Sequence, residues 1–462
     1  PRNAQTHAVV YYCMSQGRRP PNPPEANVIN ALRFTRTPLR FLEGIQSRYD
    51  DIAEVSLPVG PSIVVVTNPE LCHEMMDRID DFSRIPASGA AALISENGLV
   101  QTEGSMWRNQ REDISPGFGA GPLETYVDGV ADRVTALRDE WDAAVDAGEP
   151  ERDLHRDMTG VTVRAASKAL FGADIGPERA AEMHRIARQA ATEFEVSATT
   201  ITPEWFPDRP SAETRGMAAR LREMGEEIIE TKRETRDPDA PPQDMLDFLL
   251  LAEASGDRDY PENHLRDQVV SFLIAGHETT ALGTTYTQAL LSWHPEVRER
   301  VRAEAREVIG DDDPGYEHAA DLTYTGKVFT EALRLYPPAW AVLRSAQGAQ
   351  SLGGYGIDDG SLVIAPQWSV HRDGRYFENP AAFDPSRWDD RGPSNRKAYF
   401  AFASGPHACI GRGFAENGAR VALATLVRDF DLEVPRDQLS NLMVTPTLRP
   451  GDGVDATVSR AE

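Results

Sequence analysis

The amino-acid sequence predicts a mainly α-helical protein with a minor β region. Helical hydrophobic patterns dominate between Pro69 and about Leu251. A long apolar helical pattern then begins near Pro261 and runs to Trp293. The sequence does not show the alternating strands and helices that are typical of a nucleotide-binding sheet, which argues against a doubly wound α/β fold.

The N-terminal part divides into an arm, a hairpin and a run of helices. Residues 1–24 combine a short apolar patch with a Pro-rich stretch, so we expect a flexible arm ahead of one domain over residues 25–462. The segment Val55–Thr67 is β-branched and broken by proline and glycine, as is typical of a hairpin. Loops are predicted at Gly117–Pro122, Gly148–Pro150, Trp205–Pro210 and Arg236–Pro242.

The C-terminal half continues with helices, short strands and a last helix. The long helix stops before His294 and Pro295, because proline favours the first turn of a new helix. The predicted elements after it are helices over Pro295–Ile309 and Gly326–Tyr336, strands and turns over 340–366, a helix over Ile410–Phe430 and closing strands over 432–458.

The charge balance excludes several kinds of partner. The chain has 48 Lys and Arg against 73 Asp and Glu, a formal net charge of −25. This charge argues against nucleic acid or an anionic membrane surface as a partner. Only four of the basic residues are lysines. A salt-adapted, halophilic cytoplasm would explain both features, whereas a GC-rich bacterial genome would explain only the scarcity of lysine.

Hydropathy and cysteine use indicate a cytoplasmic protein. No apolar run approaches the roughly 20 residues that span a bilayer, so we expect no membrane anchor. The three cysteines, Cys13, Cys72 and Cys409, are too few and too scattered for a disulfide framework or a zinc site. We therefore expect a cytoplasmic monomer in which one cysteine carries chemistry.

Residues 402–411 form a loop rich in glycine and proline that leads Cys409 to the start of a helix. Gly405 and Gly411 permit positive φ or the close approach of a flat ligand. A helix N-terminus lowers the pKa of a thiol, and the resulting thiolate is a good ligand for iron. A lone cysteine is more often buried and inert, so the surrounding pattern decides between the two.

This stretch, FASGPHACIG, resembles the haem-binding loop of the cytochrome P450 family. Phe402, Cys409 and Gly411 match the family's spacing, and His407 stands where the family most often has arginine. The resemblance implies the cytochrome P450 fold, haem b (iron protoporphyrin IX) as the cofactor and Cys409 as the ligand of its iron.

The long helix carries the stretch AGHETT over residues 275–280. Thr279 lies four residues after Ala275 and three after Gly276, so the three share a face, and the threonine can donate to the carbonyl at i−4. Gly276 leaves room for a flat ring or for dioxygen. Alone, the stretch could be a polar turn in a buried helix. It resembles the family's distal motif, which implies that Thr279 and Glu278 help to deliver protons during dioxygen activation.

Glu331 and Arg334 lie three residues apart on one face of a predicted helix. Such a pair is usually a weak surface ion pair, but the apolar neighbours indicate partial burial here. The pair resembles the family's Glu-x-x-Arg element, which Arg387 completes. A glutamate between two guanidinium groups satisfies its lone pairs, so we expect a structural role.

Four donors resemble the family's clamp for the haem propionates. Trp107 and Arg111 stand near the start of one helix, and Arg344 follows two prolines by a short strand. Without the other motifs, each arginine would be interpreted as a solvated surface residue. With His407 they supply the N–H groups that buried carboxylates need.

The resemblance covers roughly residues 40–450 and implies a monooxygenase. Its substrate would be a small apolar organic molecule such as a fatty acid, terpenoid or steroid. Its electrons would come from a separate ferredoxin or flavodoxin, because the sequence shows no flavin- or nicotinamide-binding pattern. The expected pocket residues are Phe82, Leu99, Ile274 and Trp340. The expected docking patch is formed by Arg396, Arg412 and Arg420.

Two alternatives stay open at this point. A peroxide-driven or redox-neutral enzyme would use the same haem, although the Glu278-Thr279 pair favours dioxygen. A haem-based sensor or binding protein would be expected to carry an output domain, and the sequence shows no pattern for one.

Overall fold

Helices form most of the protein and short strands form the remainder, so the predicted mainly α fold with a minor β region is confirmed. The computed structural model describes residues 18–461, except residues 59, 86–88, 194–209, 390–391 and 393–395. The predicted loop Trp205–Pro210 therefore lies outside the described residues apart from its last position.

The helices range from one turn to more than seven turns. They are α1 (Asn27–Arg36), α2 (Pro38–Gln46), α3 (Pro69–Asp77), α4 (Gly89–Ser95), α5 (Gly104–Ile114), α6 (Ala120–Ala147), α7 (Leu154–Phe171), α8 (Gly176–Glu193), α9 (Ala212–Thr235), α10 (Met245–Ser255), α11 (His264–Trp293), α12 (Pro295–Val308), α13 (Tyr316–Ala319), α14 (Thr323–Leu335), α15 (Gln367–Val370) and α16 (Arg412–Asp429). Short 3₁₀ helices cover Ser115–Phe118, Pro385–Trp388 and Arg436–Leu439.

The strands are all short. They are β1 (Ile52–Val55), β2 (Ile63–Val66), β3 (Phe82–Ser83), β4 (Glu151–Asp153), β5 (Val342–Ala346), β6 (Gln350–Leu352), β7 (Tyr355–Ile357), β8 (Leu362–Ala365), β9 (Phe430–Glu433), β10 (Leu442–Val444), β11 (Leu448–Pro450) and β12 (Asp455–Arg460). β3 and β4 have no counterpart in the sequence-based prediction.

The largest sheet has the strand order β1-β2-β8-β5-β3. β1 and β2 form a hairpin, although only Val55 of β1 lies within the predicted segment Val55–Thr67. β8 runs parallel to β2, and the other pairs are antiparallel. Val64 and Val66 of β2 pack into one hydrophobic cluster, and Ile63 and Val65 pack into another. Because both faces are covered, all four residues of this strand are buried.

The helix α11 lies at the centre of the helical part, where it packs against α7, α9, α14 and α16. Ala281, Leu282 and Tyr286 on this helix are fully buried. Gly283 lies so close to α14 that a β-carbon would meet Phe329 and Leu333 at 3.0–3.2 Å. This packing holds α11 firmly relative to α16, the helix that follows the cysteine loop.

Two predicted boundaries, one helix start and one loop end, are wrong by a few residues. α11 begins at His264 rather than near Pro261, because a turn precedes it in which the Pro261 carbonyl accepts the His264 N–H at 2.9 Å. The predicted loop Gly117–Pro122 contains the first turn of α6. That turn tolerates Pro122, since the first N–H groups of a helix have no partner within the helix.

The start of α14 depends on a contact from another helix. The helix begins at Thr323, ahead of the predicted start at Gly326. The carboxylate of Glu304 on α12 accepts the N–H groups of Tyr324 and Thr325 at 2.6 and 2.8 Å. These bonds satisfy groups that the helix itself leaves unpaired, and they extend α14 by its first turn.

The described part of the predicted arm lies against the β region. Arg18 forms a parallel bridge with Tyr355, and the Glu54 N–H donates to the Pro21 carbonyl at 2.9 Å. Residues 1–17 lie outside the described residues. Within the described ranges, none of the helices combines the length and the apolar character needed to reach across a membrane.

Candidate active site

The loop over residues 402–411 brings Cys409 to the N-terminus of α16, as predicted. The Cys409 N–H donates to the Phe402 carbonyl at 2.9 Å, so the loop closes on itself. Gly405 has a φ of +69°, and a β-carbon there would lie 2.6 Å from the Met76 carbonyl oxygen. Both observations require glycine at this position.

Gly411 differs from Gly405 in its conformation. It precedes α16 with a φ of −86°, which any residue can adopt. Within 4 Å of the position of a β-carbon there is no atom of the described residues. The open side of Gly411 therefore supports the close approach of a flat ligand rather than a need for positive φ.

The titration of Cys409 differs from the expectation. Its side chain is exposed, yet its sulfur lies deep enough among protein atoms for desolvation to dominate. Burial raises the pKa of the thiol, although the Gly411 N–H and the charges of Arg111 and Arg412 act in the opposite direction. The N–H at the helix N-terminus lowers the pKa of the thiol as expected, but burial outweighs this effect. A metal ion deprotonates a coordinating thiol outright, so iron would itself supply the missing positive charge.

Trp107 and His407 form a buried edge-to-face pair beside the loop, with ring centroids 4.3 Å apart at 79°. Among the described residues, neither Trp107 Nε1 nor either His407 nitrogen has a hydrogen-bond partner. The Glu103 carboxylate stands 3.5 Å from His407 Nε2. Buried polar atoms are nearly always paired in proteins, so these atoms indicate a ligand that carries acceptor oxygens.

Three arginines, Arg84, Arg111 and Arg344, surround this pair. Arg344 is buried, its Nη1 donates to the Leu343 carbonyl at 2.9 Å, and its Nε has no partner within the described part of the chain. Burial lowers the pKa of Arg111 and Arg344, and it lowers the pKa of Arg84 to about 10. Burial and the charges of the arginines together lower the pKa of His407 to about 3.

This cluster is electropositive inside a strongly acidic protein. Glu103 is the carboxylate that offsets the arginines, and its Oε1 already accepts the backbone N–H of Arg84 at 2.6 Å. Two further carboxylates on a ligand would balance the charge and satisfy the unpaired donors. The residues present therefore fit the two propionates of a haem.

The sequence-based analysis missed Arg84 and Glu103. Arg84 follows β3, and its Nη1 donates to the carbonyls of Leu99 and Thr102 at 2.7 and 3.2 Å. β3 pairs with β5, the strand that contains Arg344. A strand of two residues is too short to detect as a hydrophobic pattern, so the sequence carries no usable signal for this neighbour.

On α11, the Thr279 hydroxyl donates to the Ala275 carbonyl at 3.3 Å, as the i−4 spacing predicts. Gly276 does not share this face, because a β-carbon there would contact Ala166 and Leu170 of α7 at 3.6 and 3.9 Å. The expectation that Gly276 leaves room for a flat ring is therefore wrong. Successive residues of a helix point about 100° apart, and this position points at the neighbouring helix.

Glu278 is buried on the side of α11 that meets the β10–β11 hairpin. Its Oε1 lies 3.4 Å from Nη1 of Arg449 and accepts a hydrogen bond from the Thr447 hydroxyl, also at 3.4 Å. Neighbouring residues of the predicted distal motif thus make different contacts: Thr279 bonds within its own helix, and Glu278 bonds to the hairpin.

The predicted Glu-x-x-Arg cluster is confirmed as a buried structural element. Glu331 accepts hydrogen bonds from Arg334 Nη2 and Nε at 2.7 and 2.9 Å and from Arg387 Nε at 2.8 Å. The indole of Trp388 and the N–H of Asp384 add bonds at 3.1 and 3.0 Å. The cluster thereby fastens the segment 384–388, which precedes the cysteine loop, to α14.

The arginines expected to form a basic docking patch are engaged within the chain. Arg396 packs over aromatic rings, and Arg420 donates to the Ala319 carbonyl at 3.3 Å. Arg412 is exposed but pairs with Glu416 at 3.0 Å. Contacts with a ring or a carbonyl leave a guanidinium group positively charged, so the expected docking patch stays a prediction.

Three of the four residues expected to line the pocket are buried in hydrophobic clusters. Phe82 and Trp340 belong to the clusters of the β region, and Leu99 belongs to the cluster of the helical part. Trp340 also donates its indole N–H to the Thr445 carbonyl at 2.8 Å. Burial in a core does not decide which side chains line a substrate pocket, so the assignment of all four residues stays a prediction.

A loop cysteine beside a buried cationic cluster that fits two carboxylates defines a haem-thiolate protein. A family model described as Cytochrome P450 matches residues 20–451. The chain therefore belongs to the cytochrome P450 family, and the predicted fold, the monooxygenase class and haem b as the cofactor are confirmed.

Curated relatives are similar over most of their length. The chain is 31% identical over 407 residues to cyclooctat-9-en-7-ol 5-monooxygenase of Streptomyces melanosporofaciens, which covers 86% of this chain and 85% of the relative. It is 30% identical over 407 residues to cyclooctatin synthase of the same organism, with 86% of each covered. It is 27% identical over 419 residues to pentalenene oxygenase of Streptomyces avermitilis, with 88% and 90% covered.

Proposed function

We propose that this monooxygenase inserts one oxygen atom of dioxygen into a C–H or C=C bond of a small apolar organic substrate. A ferredoxin or a flavodoxin supplies two electrons, two protons are consumed, and the second oxygen atom leaves as water. The observation that carries the proposal is the position of Cys409 beside buried donors that have no acceptor among the described residues.

The residues of the site divide into an iron ligand, a clamp and a backbone frame. Cys409 ligates the iron, and bound haem supplies the redox-active centre at which dioxygen is activated. The Phe402 carbonyl accepts the backbone N–H of Cys409, and the absence of a side chain at Gly411 leaves space beside the cysteine. The propionates are held by Trp107, Arg111, Arg344 and His407, to which we add Arg84.

Thr279 is proposed to organise water for proton delivery in the oxygenation reaction. Its hydroxyl donates to the Ala275 carbonyl and keeps lone pairs that can accept from water. Glu278 supports proton supply from the neighbouring position in the chain. This pair favours dioxygen over hydrogen peroxide as the oxidant, because a peroxide route needs no such relay.

The proposed electron donor is a separate ferredoxin or flavodoxin, because enzymes of the cytochrome P450 family need a redox partner. The exposed Arg412 is neutralised by Glu416, so we expect docking to depend only weakly on ionic strength. Reduction rates with ferredoxin and flavodoxin systems at low and high salt test both points. A steep fall with salt would contradict the weak dependence.

The proposed substrate is an apolar molecule of medium to large size, and a terpenoid is the favoured class. Two of the similar proteins are named for the unsaturated skeletons of cyclooctat-9-en-7-ol and pentalenene. We also propose a cytoplasmic and salt-adapted setting, which the net charge of −25 and the scarcity of lysine support.

The first experiment is the absorbance difference spectrum of the reduced protein with and without carbon monoxide, for the wild type and for Cys409→Ala. We expect a strongly red-shifted Soret band that the variant lacks. A band typical of imidazole ligation in both proteins would refute Cys409 as the ligand. Product formation with dioxygen and an electron donor, compared with hydrogen peroxide alone, then separates the monooxygenase from a peroxide-driven enzyme.

A further inference from the structure

We propose that Arg449, on β11, is a positioning residue of the oxygenation reaction. It holds the Glu278 carboxylate in a defined place and ties the β10–β11 hairpin to the helix that carries Thr279. The inference rests on the proposed function, because it gives Glu278 a part in proton supply.

The contact between Arg449 and Glu278 is buried on both sides. Arg449 Nη1 and Glu278 Oε1 lie 3.4 Å apart, and the exposed fractions of the two side chains are 5% and 8%. The Thr447 hydroxyl donates to the same carboxylate oxygen at 3.4 Å. Two donors of one hairpin thus converge on one oxygen of the distal helix.

The hairpin that carries these donors is anchored on two sides. The Tyr286 hydroxyl of α11 donates to the Leu448 carbonyl at 2.6 Å, and the Leu448 N–H donates to the Pro338 carbonyl at 2.7 Å. The Trp340 indole holds the Thr445 carbonyl at 2.8 Å. Arg449 therefore approaches Glu278 from a backbone whose position is already set.

Charge explains why the arginine matters to the carboxylate. A buried carboxylate that loses its cationic partner turns towards other donors. The carboxylate of Glu278 would then leave its place next to Thr279. Arg449 thus keeps Glu278 oriented without itself touching the reacting atoms.

The test compares Arg449→Met, Arg449→Lys, Glu278→Gln and the double variant Arg449→Met/Glu278→Gln in the haem-loaded protein. The measured ratio is the amount of product formed per pair of electrons consumed. Hydrogen peroxide release is measured as well, because electrons that form no product can leave as peroxide. We expect Glu278→Gln to lower this ratio by about 100-fold, the lower end for a proton-transferring group. In Arg449→Met the ratio should fall to a similar level, and in Arg449→Lys it should stay close to the wild-type value. In the double variant the ratio should be no lower than in Glu278→Gln alone.

A second readout does not depend on turnover. Amide hydrogen exchange over residues 445–449 should be faster in both Arg449→Met and Glu278→Gln than in the wild type. The matched control is Arg152→Met, which breaks a part-buried bidentate pair with Asp157 at 2.9 and 3.0 Å, a pair that includes neither Glu278 nor Arg449. This control should lose stability while keeping the wild-type product ratio.

Three results would overturn the proposal. Arg449→Met could retain the wild-type product ratio, or its effect could multiply with that of Glu278→Gln, and either result would leave Arg449 a purely structural role. An unchanged ratio in Glu278→Gln would refute the part given to the carboxylate, while the monooxygenase function stands. If the wild type itself did not give the thiolate-type carbon monoxide spectrum, that result would instead refute the proposed function.

Discussion

Replacement of Glu331 by glutamine will severely destabilise the protein. The carboxylate accepts hydrogen bonds from Arg334 and Arg387, and the side chains of Glu331 and Arg334 are fully buried. Glutamine keeps the shape, but it removes the negative charge and turns an NH₂ group towards donors. Two buried guanidinium groups then lose their counter-charge, and the segment 384–388 loses its attachment to α14.

The magnitude follows from the number of partners. Removing one member of a buried ion pair costs about 3–5 kcal/mol. Because Glu331 serves two arginines as well as the Trp388 indole, we expect the upper part of this range, about 4–5 kcal/mol. Such a loss is a large share of a total stability of about 5–15 kcal/mol.

The assay is urea unfolding at fixed salt, followed by circular dichroism and by haem absorbance. The matched control is Glu253→Gln, which breaks a pair with Arg233 whose members are both about half exposed. The control should change stability by about 1 kcal/mol or less. A loss below about 1 kcal/mol for Glu331→Gln would refute the argument, because it would mean that the two arginines find other compensation.

Four further predictions concern the loop, the clamp, a buried histidine and salt. Gly405→Ala will prevent the thiolate-type carbon monoxide spectrum, since φ is +69° and a β-carbon would meet the Met76 carbonyl at 2.6 Å; an intact spectrum would contradict this reasoning. Arg344→Gln will speed haem transfer to an acceptor protein by about tenfold, because a charged hydrogen bond contributes about 1.5–3 kcal/mol; equal transfer rates would exclude Arg344 from the clamp. Burial lowers the pKa of His264 to about 4, so the unfolded chain binds a proton that the folded chain does not. Stability should therefore fall by up to about 3 kcal/mol as the pH drops from about 6.5 to 4, and urea midpoints of His264→Gln should fall less over this range than those of the wild type. Molar potassium chloride should raise the unfolding temperature, because it screens the self-repulsion of a charge of −25; a flat salt profile would argue against a salt-adapted protein.

Local patterns were sufficient to predict the helices and several of the contacts. The i−4 bond of Thr279 and the pair of Glu331 with Arg334 follow from helical spacing within one element. The loop from Phe402 to Gly411 also has the predicted form, with Cys409 at the start of α16. These features need only neighbouring residues, so the sequence determines them.

Other features depend on how distant elements meet. Glu304 sets the start of α14 from another helix, and Gly276 turns towards α7 instead of the face of Thr279. Desolvation, which depends on the whole surrounding fold, reverses the expected pKa shift of Cys409. None of these outcomes follows from spacing along the chain.

The amino-acid sequence by itself determined the family and the buried Glu331 cluster, and it predicted Cys409 as the iron ligand, because each rests on residues at a characteristic spacing. Only the tertiary structure decided that Arg84 joins Arg344 and that Arg449 meets Glu278. Both contacts bring together residues that are far apart in the chain, and their partners are chosen by strand pairing and by the packing of the hairpin on α11. Burial then makes these charges significant, because a charge in a desolvated place needs a partner that a charge in water does not.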